Sequence, residues 1–277
     1  MIHMPSDLVP IPFAVVKFAA DPIRDEPVNV GVVGLTGNGL EARFLDSFSR
    51  FKNVLSGEEL HAVSVAVKFL RSSLDRSPES SLEHVAESLS GQLRLSDVMG
   101  GVSEDVAAFL DDQFEMYVSS STVQARSRLG EDRKKIKDRI RKVIGGNGRQ
   151  SELFALAKRR VTGELGNFSF DFGFVNGRAT LLHAISFQTR EEYALNEAKV
   201  LTWAALDTKK RHKDVAIAAV VAPPIERTAA YDEAHRVLAS QAEVINANDE
   251  ALEQFVGGIL RDNKVTPIPE DWLIAAA

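Results

Sequence analysis

Apolar residues run almost unbroken through FAVVKFAA (13–20) and VNVGVVGL (28–35), and return in LEARFL (40–45). Short apolar runs bounded by turn residues read as strands, and here the bounds are DPIRDEP and TGNG. Three strands joined by short turns predict an antiparallel meander. The period then changes. Leu60, Val63, Val67 and Leu70 recur at helical spacing after Ser56-Gly57-Glu58-Glu59. Ser56 is placed to cap that helix and Glu59 to bond back to it, as in a reciprocal capping box. LEHVAESL reads as a short second helix and GQLRLSDV as a strand. SEDVAAFLDDQFEMYV reads as a closing helix with Val106, Phe109, Leu110 and Phe114 on one face.

A polar stretch, residues 121–132, reads as a linker. The basic segment RKKIKDRIRKVI follows, with Ile136, Ile140 and Val143 on one helical face and Lys134, Lys137 and Arg141 on another. Its apolar stripe must dock, most simply on its own domain, and Gly145-Gly146-Asn147-Gly148 ends it. SELFALAKRR (151–160) reads as a helix. NFSFDFGFV and RATLLHAISF read as strands joined at Asn176-Gly177, the strongest short hairpin signal. A long helix over about 191–210 precedes DVAIAAVVA, whose wholly apolar character predicts a central, parallel strand. A helix (YDEAHRVLASQ), a short strand (EVINAN) and a last helix (DEALEQFVGGIL) close the chain. The fold class is α+β: an N-terminal antiparallel meander with helices (1–120), the linker (121–132), then a basic helix leading a mixed sheet flanked by helices (133–277).

Composition adds two constraints. There is no cysteine, which removes disulfides, thiolate metal sites and a cysteine nucleophile. No apolar run is long enough to span a bilayer, and MIHMPSDLVPIPF lacks the pattern of a secretory signal, so a cytoplasmic location is expected. The net charge of −6 is unevenly distributed: residues 133–160 hold eleven Lys or Arg and two acids, a local +9, leaving −15 elsewhere. An acidic body with one basic segment argues against coating DNA but allows a local phosphate contact. The residues for such a contact are Arg133, Lys134, Lys137, Arg141, Lys142, Arg149, Lys158, Arg159 and Arg160. Few aromatics interleave them, so backbone contact without sequence preference is expected.

Phe13-Ala14-Val15-Val16-Lys17, Asp21-Pro22, Arg24, Glu26 and Asn29-Val30-Gly31-Val32 resemble the domain of unknown function 3037 family. RFLDSFSRFKNVL and the helix ending DDQFEMYV fit the same layout, over residues 11–120. The resemblance carries no settled activity. It implies a setting among mobile elements and phage-defence or toxin–antitoxin genes. Structurally, Asn29 can bond a buried backbone group, and Gly31 inside a strand suggests a bulge or a close backbone approach. The functional reading of the motif is a partner-binding cluster of Arg24, Glu26 and Asn29.

The order of elements in the second half also resembles, weakly, a degenerate restriction-endonuclease-like fold of the PD-(D/E)xK type. Such nucleases need two carboxylates for Mg²⁺ and a lysine for the attacking water. Asp171 stands where the first carboxylate is expected. The next strand offers His183-Ala184-Ile185 in place of the Glu and Lys. Glu192, Glu197 and Lys199 on the following helix are the available substitutes. Glu197 and Lys199 lie two apart on a helix and cannot share a site. No phosphate loop, dinucleotide fingerprint, nucleophile elbow or metal-spaced histidine pair occurs.

These observations favour a non-catalytic accessory or binding component of a mobile-element or phage-defence system. It would act through a protein partner, with non-specific DNA contact through the basic segment and no cofactor. One alternative is a Mg²⁺-dependent DNA nuclease using Asp171, Glu192, Glu197 and Lys199. Another is an inhibitor or antitoxin-like protein whose acidic body covers a basic partner. The oligomeric state is left open.

Overall fold

A computed structural model describes residues 8–20, 27–76, 81–89, 92–119, 123–145, 154–156, 159–188, 191–224, 226–260 and 265–275. Of residues 123–132, 145, 249 and 257–260 only the backbone is described. The architecture is α+β. Val9–Ser121 form one compact unit, and Thr122–Ala277 with Met1–Leu8 form the other.

The first unit is built on a five-stranded antiparallel sheet. Strand β1 (Val9–Phe18) pairs with β2 (Val28–Thr36), which pairs with β3 (Gly39–Phe44). On its other side β1 meets β4 (Leu93–Leu95) along Val16–Phe18 and β5 (Met99–Ser103) along Val9–Phe13. The sequence pattern did not point to β5: Gly100 and Gly101 carry no apolar signal. Phe109 explains Gly101, since a Cβ there would lie 2.4 Å from its ring. The register of β1 and β2 slips opposite Val16 and Lys17, a bulge beside Gly31. A Cβ at Gly31 would stand 2.3 Å from the Phe44 ring, so both roles expected of this glycine occur.

Helix α1 (Gly57–Arg76) opens on the predicted capping box. Ser56 N–H donates to Glu59 Oε2 at 2.6 Å, and Glu59 N–H donates to Ser56 Oγ at 3.3 Å. Val63, Val67, Leu70 and Leu74 bury its apolar face against one side of the sheet, with α2 (Leu82–Ser88). Helix α3 (Val106–Phe114), capped by Asp105, packs Phe109 and Leu110 with Ile11, Phe13 and Val32.

In the second unit, helix α4 spans Val123–Gly145. The segment read as a linker, 121–132, is therefore helical from 123. Polarity alone does not stop a helix, and VQARSRL is rich in good helix formers. The four-stranded sheet runs β11-β10-β9-β8. β8 (Phe172–Asn176) and β9 (Arg178–Ser186) form the predicted hairpin, turning at Gly177 with φ +65°. β10 (Ala216–Ala222) lies between β9 and β11 (Glu243–Asn246), parallel to both, as its apolar run predicts. Helices α5 (Glu191–Arg211), α6 (Ala229–Ala239) and α7 (Asp249–Leu260) connect and cover these strands.

Ile136, Ile140 and Ile144 of α4 pack with α7 on the sheet face that carries Phe172, Phe174, Leu182, Ala184, Ala218 and Val220. The apolar stripe of the basic helix thus docks on its own unit. Alternation in β9 turns Leu181, His183 and Ile185 to the opposite face, toward α5.

The helix expected over 151–160 does not form among the described residues. Residues 154–156, placed in a helix, run along the outer edge of β8 instead. Leu156 N–H donates to Asp171 O and Gly173 N–H to Phe154 O, with Phe154 and Leu156 buried. Burying these two side chains against the hairpin outweighs the helix propensity of SELFALAKRR. Residues 159–160, read as the end of the same helix, lie instead in β6 (Arg159–Thr162), which joins β7 (Asn167–Phe168) and β12 (Leu273–Ala275) in a separate sheet. Among the described residues the main sheet contains one antiparallel pair, β8 with β9.

Candidate functional site

The predicted strand NFSFDFGFV is interrupted. Asn167–Phe168 pair with β6, and pairing with β9 begins at Phe172. Asp171 sits just before β8 begins. Its backbone N–H still donates to Leu182 O at 2.9 Å. Beyond that point no strand among the described residues pairs with β9 on this side, and the Asp171 side chain takes over: Ala184 N–H donates to Asp171 Oδ2 at 2.8 Å. A carboxylate thus completes a sheet edge that the backbone leaves open.

Arg133 reaches this point from α4. Its Nη2 donates to Asp171 Oδ2 at 3.0 Å, and its Nη1 donates to Glu197 Oε1 on α5 at 2.7 Å. His183 Nε2 lies 3.1 Å from Arg133 Nη2 and 3.2 Å from Glu197 Oε1. A bare Nε2 accepts from Arg133; a protonated one donates to Glu197. Lys137, one turn after Arg133, places Nζ 3.5 Å from Asp171 Oδ1. The cluster therefore ties α4, on one face of the sheet, to α5, on the other, around the end of β8.

Its electrostatics follow from burial and charge. Burial alone would raise the Asp171 carboxyl, but His183, Arg133 and the Ala184 N–H together outweigh it and hold the group below its ordinary range. Burial also acts to raise Glu197, and Arg133 and His183 reverse it. Burial acts to lower Arg133; Glu197 and Asp171 raise it instead. Arg133 Nε is buried without a hydrogen-bond partner among the described residues, so the guanidinium is committed through its two Nη atoms.

The predicted site residues divide accordingly. Asp171 and Glu197 converge on one cation. Glu192 is exposed at the start of α5. Lys199 points to another face of α5, where its Nζ meets Glu233 Oε1 of α6 at 3.0 Å. Glu197 and Lys199 serve different neighbours, as their helical spacing requires. Among the described residues no group of three or more His, Asp or Glu is arranged to hold a metal ion. Arg133 was read as a phosphate contact; its position between two carboxylates carries no signal in its local sequence, because the partners lie 38 and 64 residues away.

Two of the other nominated cations are similarly engaged. Arg141 pairs with Asp138 and lies over the Phe172 ring, 5.6 Å from its centroid. Arg159 makes a two-pronged contact with Glu270. Arg160 is half-buried in β6, and Lys134 and Lys142 are exposed on α4. Arg149 and Lys158 lie outside the described residues, as do Arg24 and Glu26. Asn29 donates from Nδ2 to Tyr117 O at 2.8 Å, the structural role expected of it.

A second buried carboxylate has a local task. Asp207 on α5 accepts from Leu165 N–H and Gly166 N–H and fastens the β6–β7 turn. Burial raises its carboxyl above the ordinary range despite those bonds. Among the described residues no helix is long and apolar enough to cross a membrane.

No curated protein and no solved structure matches the chain. Residues 13–118, most of the first unit, match the family described as Protein of unknown function (DUF3037), which bears out the resemblance read from the strands around Asp21-Pro22 and Asn29-Val30-Gly31.

Proposed function

We propose that this protein is a non-catalytic binding component, acting in the cytoplasm through a protein partner in a mobile-element or phage-defence setting. One observation carries the non-catalytic reading: the space between Asp171 and Glu197 is held by the Arg133 guanidinium, with donors at 3.0 and 2.7 Å. The carboxylates that a metal-dependent nuclease would use for a cation are neutralised by a side chain of the same unit. His183-Ala184-Ile185 adds neither a further carboxylate nor a lysine beside them.

The charge distribution supports a protein partner over extensive DNA binding. Arg133, Lys137, Arg141 and Arg159 are paired with carboxylates, so much of the segment's charge is already neutralised, while Lys134, Lys135, Arg139 and Lys142 of α4 are exposed. Any DNA contact of this segment is then weak and strongly salt-dependent.

The second reading, a nuclease, is favoured by the convergence of two carboxylates on one point. Incubating supercoiled plasmid with Mg²⁺ or Mn²⁺ separates the two. The binding reading expects no cutting. Cutting that disappears in Asp171→Ala and Glu197→Ala would establish the nuclease and overturn the proposal.

A further inference from the structure

The two larger sheets treat their edges differently. In the second unit, the outer edge of β8 is covered by residues 154–156 and by Thr266, which exchanges two backbone hydrogen bonds with Val175 at 2.8 and 2.9 Å. In the first unit, β3 ends its sheet and, among the described residues, pairs with β2 alone. A cleft of about 470 Å³ opens along β3, bordered by Arg71 and Leu74 of α1 and by Asp111 and Phe114 of α3. Unpaired strand edges invite another strand unless something blunts them. Charged residues at the edge usually do so, and β3 has two, Glu41 and Arg43.

These charges are arranged to be self-complementary. The strand reads Leu40-Glu41-Ala42-Arg43-Phe44. Antiparallel to a second copy of itself and centred on Ala42, it sets Glu41 opposite Arg43 and Leu40 opposite Phe44, on both sides of the two-fold axis. Directly opposed residues in an antiparallel pair share a sheet face. Leu40 and Phe44 both face the core against α1, and Arg43 faces α3, where its Nε donates to Asp111. Arg43 Nη1 stays close to its own strand, 3.3 Å from Ala42 O and 3.8 Å from Glu41 Oε2. The guanidinium therefore stands where a facing carboxylate would arrive, while Asp111 keeps its Nε.

We propose that β3 is a homodimerisation edge, occupied by β3 of a second copy of this chain in antiparallel register about Ala42. The interface is isologous, as a two-fold contact requires. The charges that would repel most incoming strands select this one. Nothing in this inference depends on the cluster in the second unit.

Light scattering of the full chain across a concentration series tests it. The expected wild-type result is a concentration-dependent species of twice the 30.3 kDa chain mass. Glu41→Arg sets two like pairs across the axis and halves that mass. Arg43→Glu, made with Asp111→Lys so that the ion pair to α3 persists with reversed sign, does the same. Mixing the two variants sets opposite charges at both positions and restores the dimer. Recovery on mixing also shows that both variants are folded. A wild-type monomer up to roughly 100 μM, a weak association on the affinity scale, overturns the proposal. So does a dimer that survives Glu41→Arg, or two variants that stay monomeric together.

Discussion

Replacing Arg133 with Met removes the cation from between Asp171 and Glu197 while leaving an unbranched side chain on α4. Two carboxylates then share a site with the His183 ring and Lys137, and the link between α4 and α5 is lost. Breaking a buried ion pair by removing one partner costs about 3–5 kcal/mol. Here the side chains of Arg133 and Glu197 are 29% and 30% exposed, whereas Asp171 is 9% exposed. Solvent screens the Glu197 half, so the expected loss is about 2–3 kcal/mol at pH 7. Both tryptophans, Trp203 and Trp272, lie in the second unit, and Trp203 is 2% exposed, so intrinsic fluorescence follows that unit alone. At a slope of about 2 kcal/mol per M, the urea midpoint falls by about 1 M.

The pH dependence sharpens this test. Asp171 and Glu197 are both held below their ordinary values in the fold. Such groups add stability above their unfolded values, about 3.9 and 4.3, and lose it as pH falls through the lower folded values. Without Arg133 the effect of burial is less opposed, so the carboxyls protonate more readily in the variant. The gap between wild type and variant therefore narrows from pH 7 to pH 3. An equal gap at both pH values, or no loss at pH 7, would refute the electrostatic account of this cluster.

Three further substitutions test separate parts of the fold. Gly163→Ala places a Cβ 2.1 Å from Asp207 Oδ2 and 2.6 Å from the Phe168 ring; the expected loss in the second unit is about 2–3 kcal/mol, and an unchanged fluorescence midpoint would contradict the packing argument. Ser56→Ala removes one half of the α1 capping box and should cost the first unit about 1 kcal/mol, measured by far-UV circular dichroism. Lys199→Met removes the largely buried half of the pair with Glu233. Its stability should change by no more than about 1 kcal/mol, because the remaining Glu233 is 41% exposed and water takes the place of the ammonium; a loss above about 3 kcal/mol would show that Lys199 has another task.

Much of the secondary structure was legible because its causes are local. The Ser56–Glu59 box needs residues three apart and nothing else. Helix faces follow a short period, and α4 buries Ile136 and Ile140 as that period requires. The Asn176-Gly177 turn is written in one dipeptide, since Gly177 takes the positive φ that other residues avoid. Illegible elements depend on distant partners. Residues 154–156 leave the helical state to cover β8. β6 begins within the segment read as a helix and joins a separate sheet with β7 and β12.

By itself, the sequence determined the α+β class, the meander, the parallel character of β10 and the likeness of the first unit to the DUF3037 family. It also determined that Glu197 and Lys199 part company, because an α-helix turns residues two apart to different sides. Only the tertiary structure decided what Asp171 does. β8 begins two residues too late to satisfy Ala184, so the Asp171 carboxylate caps the edge, and its charge then needs a cation. Arg133 supplies it from a helix 38 residues upstream. In sequence that arginine is one of a row of basic residues. In the fold it is the counter-ion of two carboxylates, because closing the sheet edge requires one.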